Sequence, residues 1–166
     1  MRARALTAAI LLFAAAPGAA LQVTPVASPR TVASWSLAAP RRTYVLLAGA
    51  PWCTPCRTTL APLEAARPAS GSRLARAAVA HVDLDALEAG AFEAFAARYG
   101  VPFEGTIPLA VVFRRGIAVA GHVGALDAGA LERLLRDAER VRLPGAERRR
   151  RSCGRRWSGP CVFLTT

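Results

Sequence analysis

Cys53 and Cys56 stand two residues apart in "APWCTPCR", residues Ala50 to Arg57, with Trp52 before them and Pro55 between them. Thiols at this spacing have three uses. They supply half of a zinc site, form an inert staple, or cycle between dithiol and disulfide. Zinc takes four ligands, commonly from two such pairs. The remaining cysteines, Cys153 and Cys161, stand seven residues apart, which is not the spacing of a second pair. Redox cycling needs a nucleophilic thiolate and a second thiol close enough to attack the mixed disulfide that the first one makes. The elements around the pair favour this third use.

Thr43 to Ala48, "TYVLLA", is a short apolar run with β-branched and aromatic members, and it predicts a buried central strand. The cysteines follow at once, and Arg57 to Ala66 then reads as a helix that Pro62 would kink. Cys53 thereby falls at a helix N-terminus, where unpaired N–H groups and the helix dipole favour thiolate over thiol. Such sites lower a cysteine pKa from ~8.5 to roughly 3.5–7.5. Cys56 lies one helical turn on and faces back to Cys53, within reach to resolve its mixed disulfide. Thr54 and Pro55 set the bite of the ring, and Pro55 removes one donor.

Further along, Pro68 to Ser72 is loop chemistry. Ala77 to Leu84 predicts a second strand, and Leu87 to Tyr99 a helix with Leu87, Ala91, Ala94 and Phe95 at helical spacing, stopped by Gly100. Leu109 to Phe113 and Ile117 to Val123 predict two strands joined by a tight turn at Arg114 to Gly116, hence antiparallel. Asp127 can cap a last helix running to Arg140, with Leu131, Leu134 and Leu135 inward. Earlier strands need helical crossovers and are therefore parallel. The fold class is α/β, a mixed central sheet flanked by helices over residues 40–140. His81 reads as a strand residue and His122 as a strand-end residue, neither placed for ligation or catalysis. Asp83 and Asp85 read as solvated acids at a strand end, and Trp35 as a packing residue.

Net charge is +11 over 166 residues, but residues 40–140 carry only +2, while residues 141–166 carry +6. Every basic residue is Arg, which fits the composition bias of a GC-rich genome. The tail "AERRRRSCGRRWSGPCVFLTT" is a block of like charge, read as disordered and solvated, with an anionic nucleic acid or membrane surface as the alternative partner. At the other end, Met1 to Arg4 is basic, residues 5–16 are apolar, and Gly18 to Ala20 offers small residues for cleavage. Residues 1–20 thus predict a signal peptide, too short to match the ~20 apolar residues of a membrane span. Residues 21–39, without an acid, read as a linker or a transit-like segment. The expected location is exported, periplasmic or secreted, with a plastid or a membrane-anchored form as alternatives.

At this point the residues resemble a family, the thioredoxins. "WCTPC" looks like that family's WCxPC active site. Pro62 falls one residue later than its kinking helix proline, and "GTIP", Gly105 to Pro108, resembles the segment that sets a cis-proline opposite the cysteines. Leu109 to Leu135, with "VGAL" at Val123 to Leu126, follows the family's last hairpin and helix. The resemblance implies the thioredoxin fold over residues 40–140. It implies a protein-disulfide oxidoreductase with Cys53 as nucleophile and Cys56 as resolving thiol. It also implies a cis-Pro108, with Ile107 offering backbone groups to an extended substrate, and Trp52 as an apolar platform. Arg57 keeps the charge that Lys often supplies. No cofactor or metal is implied, only disulfide or dithiol protein substrates and a redox partner that recycles the pair. Two departures stand out. Leu47 occupies the position of the family's buried acid, six residues before Cys53, and Phe103-Glu104 adds length before the proline segment. Ile107 resembles the reducing members, whereas an exported location leans toward oxidation or isomerisation. The alternatives are a non-catalytic binding or chaperone module on the same fold, and a membrane-tethered reductase dedicated to one client such as an apocytochrome.

Overall fold

A computed structural model describes residues 19–143. The apolar runs become a five-stranded sheet in the order β1-β3-β2-β4-β5. β2 (Thr43–Gly49) lies at its centre, parallel to β3 (Ala78–Asp83) on one side and antiparallel to β4 (Leu109–Arg114) on the other. β5 (Ile117–Val123) returns antiparallel to β4 through Arg115 and Gly116, both at positive φ (54° and 75°), as a two-residue hairpin turn requires. The mixed sheet and its directions are those expected from the sequence.

Side chains alternate between the two faces of each strand. Val45, Leu47, Val79, Ala110 and Val112 meet Leu63 of α2 (Thr54–Ala65), Leu74 of α3 (Arg73–Arg76) and Leu131, Leu134 and Leu135 of α5 (Ala128–Arg140). Leu46, Ala48, Ala80, Val82, Val111 and Phe113 face α4 (Ala91–Tyr99) and a helix before β2. Asp127 caps α5 by accepting from Ala130 N–H.

Residues 21–39 are not a linker. Val23–Pro25 forms β1, an edge strand parallel to β3, and Pro29–Ala38 forms α1, capped by Ser28. Its buried stripe is Pro29, Val32, Ala33 and Ser36. Ser36 Oγ accepts from Gly116 N–H at 2.7 Å, and a Cβ on Gly116 would sit 3.2 Å from Leu37, so α1 rests directly on the β4–β5 turn. Trp35 packs against Tyr44, with ring centroids 6.3 Å apart. The folded unit therefore starts about twenty residues before the expected boundary at residue 40.

α4 starts later than the expected Leu87. Leu87 and Glu88 precede it, after a 3-10 turn at Leu84–Ala86, and the helix begins at Ala91. Its inward side chains are Phe92, Phe95 and Ala96 rather than Ala91 and Ala94. Aromatic packing decides this: Phe95 contacts Phe113 (5.9 Å) and Phe92 contacts Phe103 (4.7 Å), so the added length before Pro108 is anchored in the core. The address read in residues 1–20 falls almost wholly, and the Arg-rich tail with Cys153 and Cys161 wholly, outside the described residues.

Candidate active site

β2 ends at Gly49, and the chain turns through Ala50 to Trp52 to bring Cys53 to the N-cap of α2. Cys53 N–H donates to Ala50 O (3.1 Å), and Cys53 O accepts from Cys56 and Arg57 N–H (3.1 and 3.2 Å). The first turn of α2 is thus wound around the first cysteine. Cys53 and Cys56 form a disulfide, with Cα atoms 5.2 Å apart. Cys56 N–H points at Cys53 Sγ at 3.1 Å. In the dithiol form that same N–H is a donor for a Cys53 thiolate, and hydrogen bonds to the charged form favour it.

Both cysteines are largely covered, Cys53 5% and Cys56 7% exposed. The cover is a small apolar cluster of Ala50, the two cysteines and Ile107. Ile107 and Pro108 are joined by a cis peptide bond, and Ile107 O lies 3.9 Å from Cys53 Sγ. Pro108 O in turn accepts from Gly124 N–H at 2.8 Å, which ties this segment to the end of β5. The segment carrying Ile107 and Pro108, fifty-odd residues from the cysteines, does meet them.

Trp52 projects beside the site, 67% exposed, and its indole Nε1–H donates to Asp85 Oδ1 at 3.1 Å. Asp85 is itself positioned by Asp83, whose Oδ1 accepts from Asp85 N–H. The two strand-end acids are therefore a bracket for Trp52, not merely solvated. Sequence reading missed this because the partners lie 33 residues apart. Arg57 folds back over the start of α2, donating to Pro51 O (2.6 Å) and Thr54 Oγ1 (3.1 Å). Thr54 and Pro55 are exposed at the first turn, and Pro55 O accepts from Thr58 Oγ (3.0 Å). Below them Thr59 is buried and accepts from Leu126 N–H at 3.2 Å, which fixes α2 to the loop carrying "VGAL".

Leu47, in the position of the family's acid, is buried in the core beneath α2 and pairs in register with His81. Burial lowers the His81 imidazole below its ordinary pKa, partly offset by the charges of Asp83 and Glu64. Among the described residues, no group of three or more His, Cys, Asp or Glu is arranged to hold a metal ion.

No known family model matches the chain, and no curated protein sequence is similar to it. Solved structures are. A thioredoxin from Fasciola hepatica is 24% identical with a TM-score of 0.51, covering 69% of this chain and 99% of that one. A mutant thioredoxin from Halobacterium salinarum is 25% identical at 0.51, covering 76% and 98%. One from Trypanosoma brucei brucei is 22% identical at 0.53, covering 74% and 96%. The chain has the thioredoxin fold. Its resemblance to thioredoxins, read first from WCTPC, extends to the fold, with a vicinal cysteine pair at the N-terminus of α2.

Proposed function

We propose that this chain is a thiol–disulfide oxidoreductase acting on protein disulfides. The observation that carries the reading is the bonded Cys53–Cys56 pair at the start of α2, with Ile107 O 3.9 Å from Cys53 Sγ beside the cis-proline. The Cys53 thiolate attacks a substrate disulfide and takes one of its sulfurs into a mixed disulfide, releasing the other as thiolate. Cys56 then attacks Cys53 Sγ, frees the second substrate thiol and leaves the pair oxidised. Two electrons pass from the pair to the substrate, and a dithiol partner restores them. Ile107, with its backbone outside the sheet ladders, lies beside an extended substrate segment, and Trp52 forms the wall of the site.

The same reading places the protein in an exported or organellar compartment, on the strength of the basic and apolar pattern of residues 1–20. N-terminal sequencing of the mature protein tests it, with cleavage near Ala20 expected. Equilibrating the full chain in graded thiol buffers tests the chemistry. A potential near about −270 mV marks a reductant and one near about −120 mV an oxidant. Cys56→Ser is expected to trap a mixed disulfide with a client protein on a non-reducing gel, and Cys53→Ser to trap none. A pair that never forms a disulfide in these buffers sinks the proposal.

A further inference from the structure

His81 sits in β3 two residues after Val79, so alternation turns it toward the same face of the sheet as Val79 and Leu47, the face that α2 covers. Gly49 ends the neighbouring strand on that face. A Cβ on Gly49 would lie 3.1 Å from Cys56 Cβ, 3.2 Å from Cys56 Sγ and 3.5 Å from His81 Nε2. The resolving sulfur and an imidazole nitrogen therefore both lie close to the one position that a glycine leaves without a carbon. Without a side chain on Gly49, the two atoms are near enough for one water to join them.

We propose that His81 is the base that takes the proton from Cys56 when Cys56 resolves the mixed disulfide. The inference rests on the dithiol–disulfide function proposed above. Cys56 Sγ–H gives its proton to His81 Nε2 through a water that joins them beside Gly49. The Cys56 thiolate attacks Cys53 Sγ, the Cys53–Cys56 bond forms, and the bond from Cys53 to the substrate sulfur breaks. The departing substrate thiolate takes up a proton, and the imidazolium loses its own to solvent. Protons and electrons balance with no further reactant.

The surroundings suit this task. Burial lowers the imidazole below its ordinary pKa and so favours the neutral form, the one that accepts a proton. Asp83 on the same strand and Glu64 on α2 are the charges that act on it, and both stabilise the imidazolium. Its register partners, Leu47 on β2 and Pro25 on β1, do not titrate. β2 thus lacks an acid at this level, and β3 presents a base there instead.

The test uses the full chain with Cys153→Ser and Cys161→Ser, reduced, and mixed in a stopped-flow instrument with 5,5′-dithiobis(2-nitrobenzoate). Attack by Cys53 releases one coloured thiolate, and resolution by Cys56 releases a second. His81→Gln is expected to leave the first release unchanged and slow the second by about 100-fold. The unsubstituted rate of the second release falls as pH drops through the His81 pKa, below about 6.5. That step vanishes in His81→Gln. His81→Glu, which keeps a base in place, is expected to restore most of the rate with the step moved to lower pH. An unchanged second release in His81→Gln, or equal slowing of both releases without rescue by His81→Glu, overturns the role of His81. Absence of the first release in the unsubstituted chain overturns instead the oxidoreductase reading itself.

Discussion

The first sulfur of this site is served by the backbone, since the donor that reaches Cys53 Sγ is the N–H of Cys56. That is why spacing alone made the pair legible: two residues between thiols, placed after a strand, define the geometry without help from distant side chains. Trp52 is a different case. Its exposure follows from its place in the turn, but its orientation depends on Asp85, which comes to it only when β3 and β2 pair. His81 is similar, since its relation to Cys56 runs from one strand across a glycine to a helix. No local pattern encodes either contact. Asp85→Ala removes an exposed hydrogen bond, so stability is expected to change by under about 1 kcal/mol. The indole loses its anchor, and the expected signature is lower fluorescence anisotropy of Trp52, measured with Trp35 and Trp157 replaced by Phe. Unchanged anisotropy would mean that Asp85 does not hold the ring.

Among the elements, the continuous apolar runs of β2, β3 and β4 and the Asp127-capped α5 were legible because their pattern exceeds any alternative. α1 was not, because its inward stripe is a proline, a valine, an alanine and a serine, too weak to stand out from a linker. What holds α1 is tertiary. Ser36, fully buried, accepts from Gly116 N–H and donates to Ala33 O. Ser36→Ala leaves that turn N–H without its acceptor and is expected to cost about 1–3 kcal/mol in urea unfolding. α3 and α5 are joined similarly. Glu132 accepts from the N–H groups of Arg73 and Leu74 at 3.0 and 2.8 Å. Partial burial alone would raise its carboxyl pKa, but those two donors and the Arg73 guanidinium outweigh it, and the net shift is downward. A carboxyl whose pKa is depressed on folding stabilises above its unfolded pKa and loses that contribution as pH falls through the folded one. Stability is therefore expected to drop below about pH 4.5, and Glu132→Gln to flatten that part of the profile. An identical acid limb in the variant would show that the carboxylate contributes nothing there.

At the scale of the molecule, the site stands where the central strand β2 hands the chain to α2, and every layer converges on it. Gly124, just past β5, holds the proline segment, β3 and the turn after it bring His81 and Asp85, and the loop after β5 holds α2 through Thr59. β1 and α1 complete the arrangement from behind. Leu21 N–H donates to Ala66 O just past α2, and Val26 N–H to His81 O, both at 2.8 Å. Residues 40–140 contain every motif that resembles a thioredoxin, yet they do not contain the whole fold. A chain beginning at Pro40 would expose the edge of β3, a hazard for pairing with other chains. It would also lose the burial of Val32 and Leu21, each worth about 1.5–3 kcal/mol. Against a total stability of about 5–15 kcal/mol this is a large fraction. A chain of residues 21–143 is therefore expected to melt cooperatively. One of residues 40–143 is expected to melt at least about 10 °C lower, the shift that a few kcal/mol produces in a domain of this size, and to bind an apolar dye before melting. Equal melting temperatures would mean that β1 and α1 only lie against the fold, and that the boundary read from the motifs alone is the physical one.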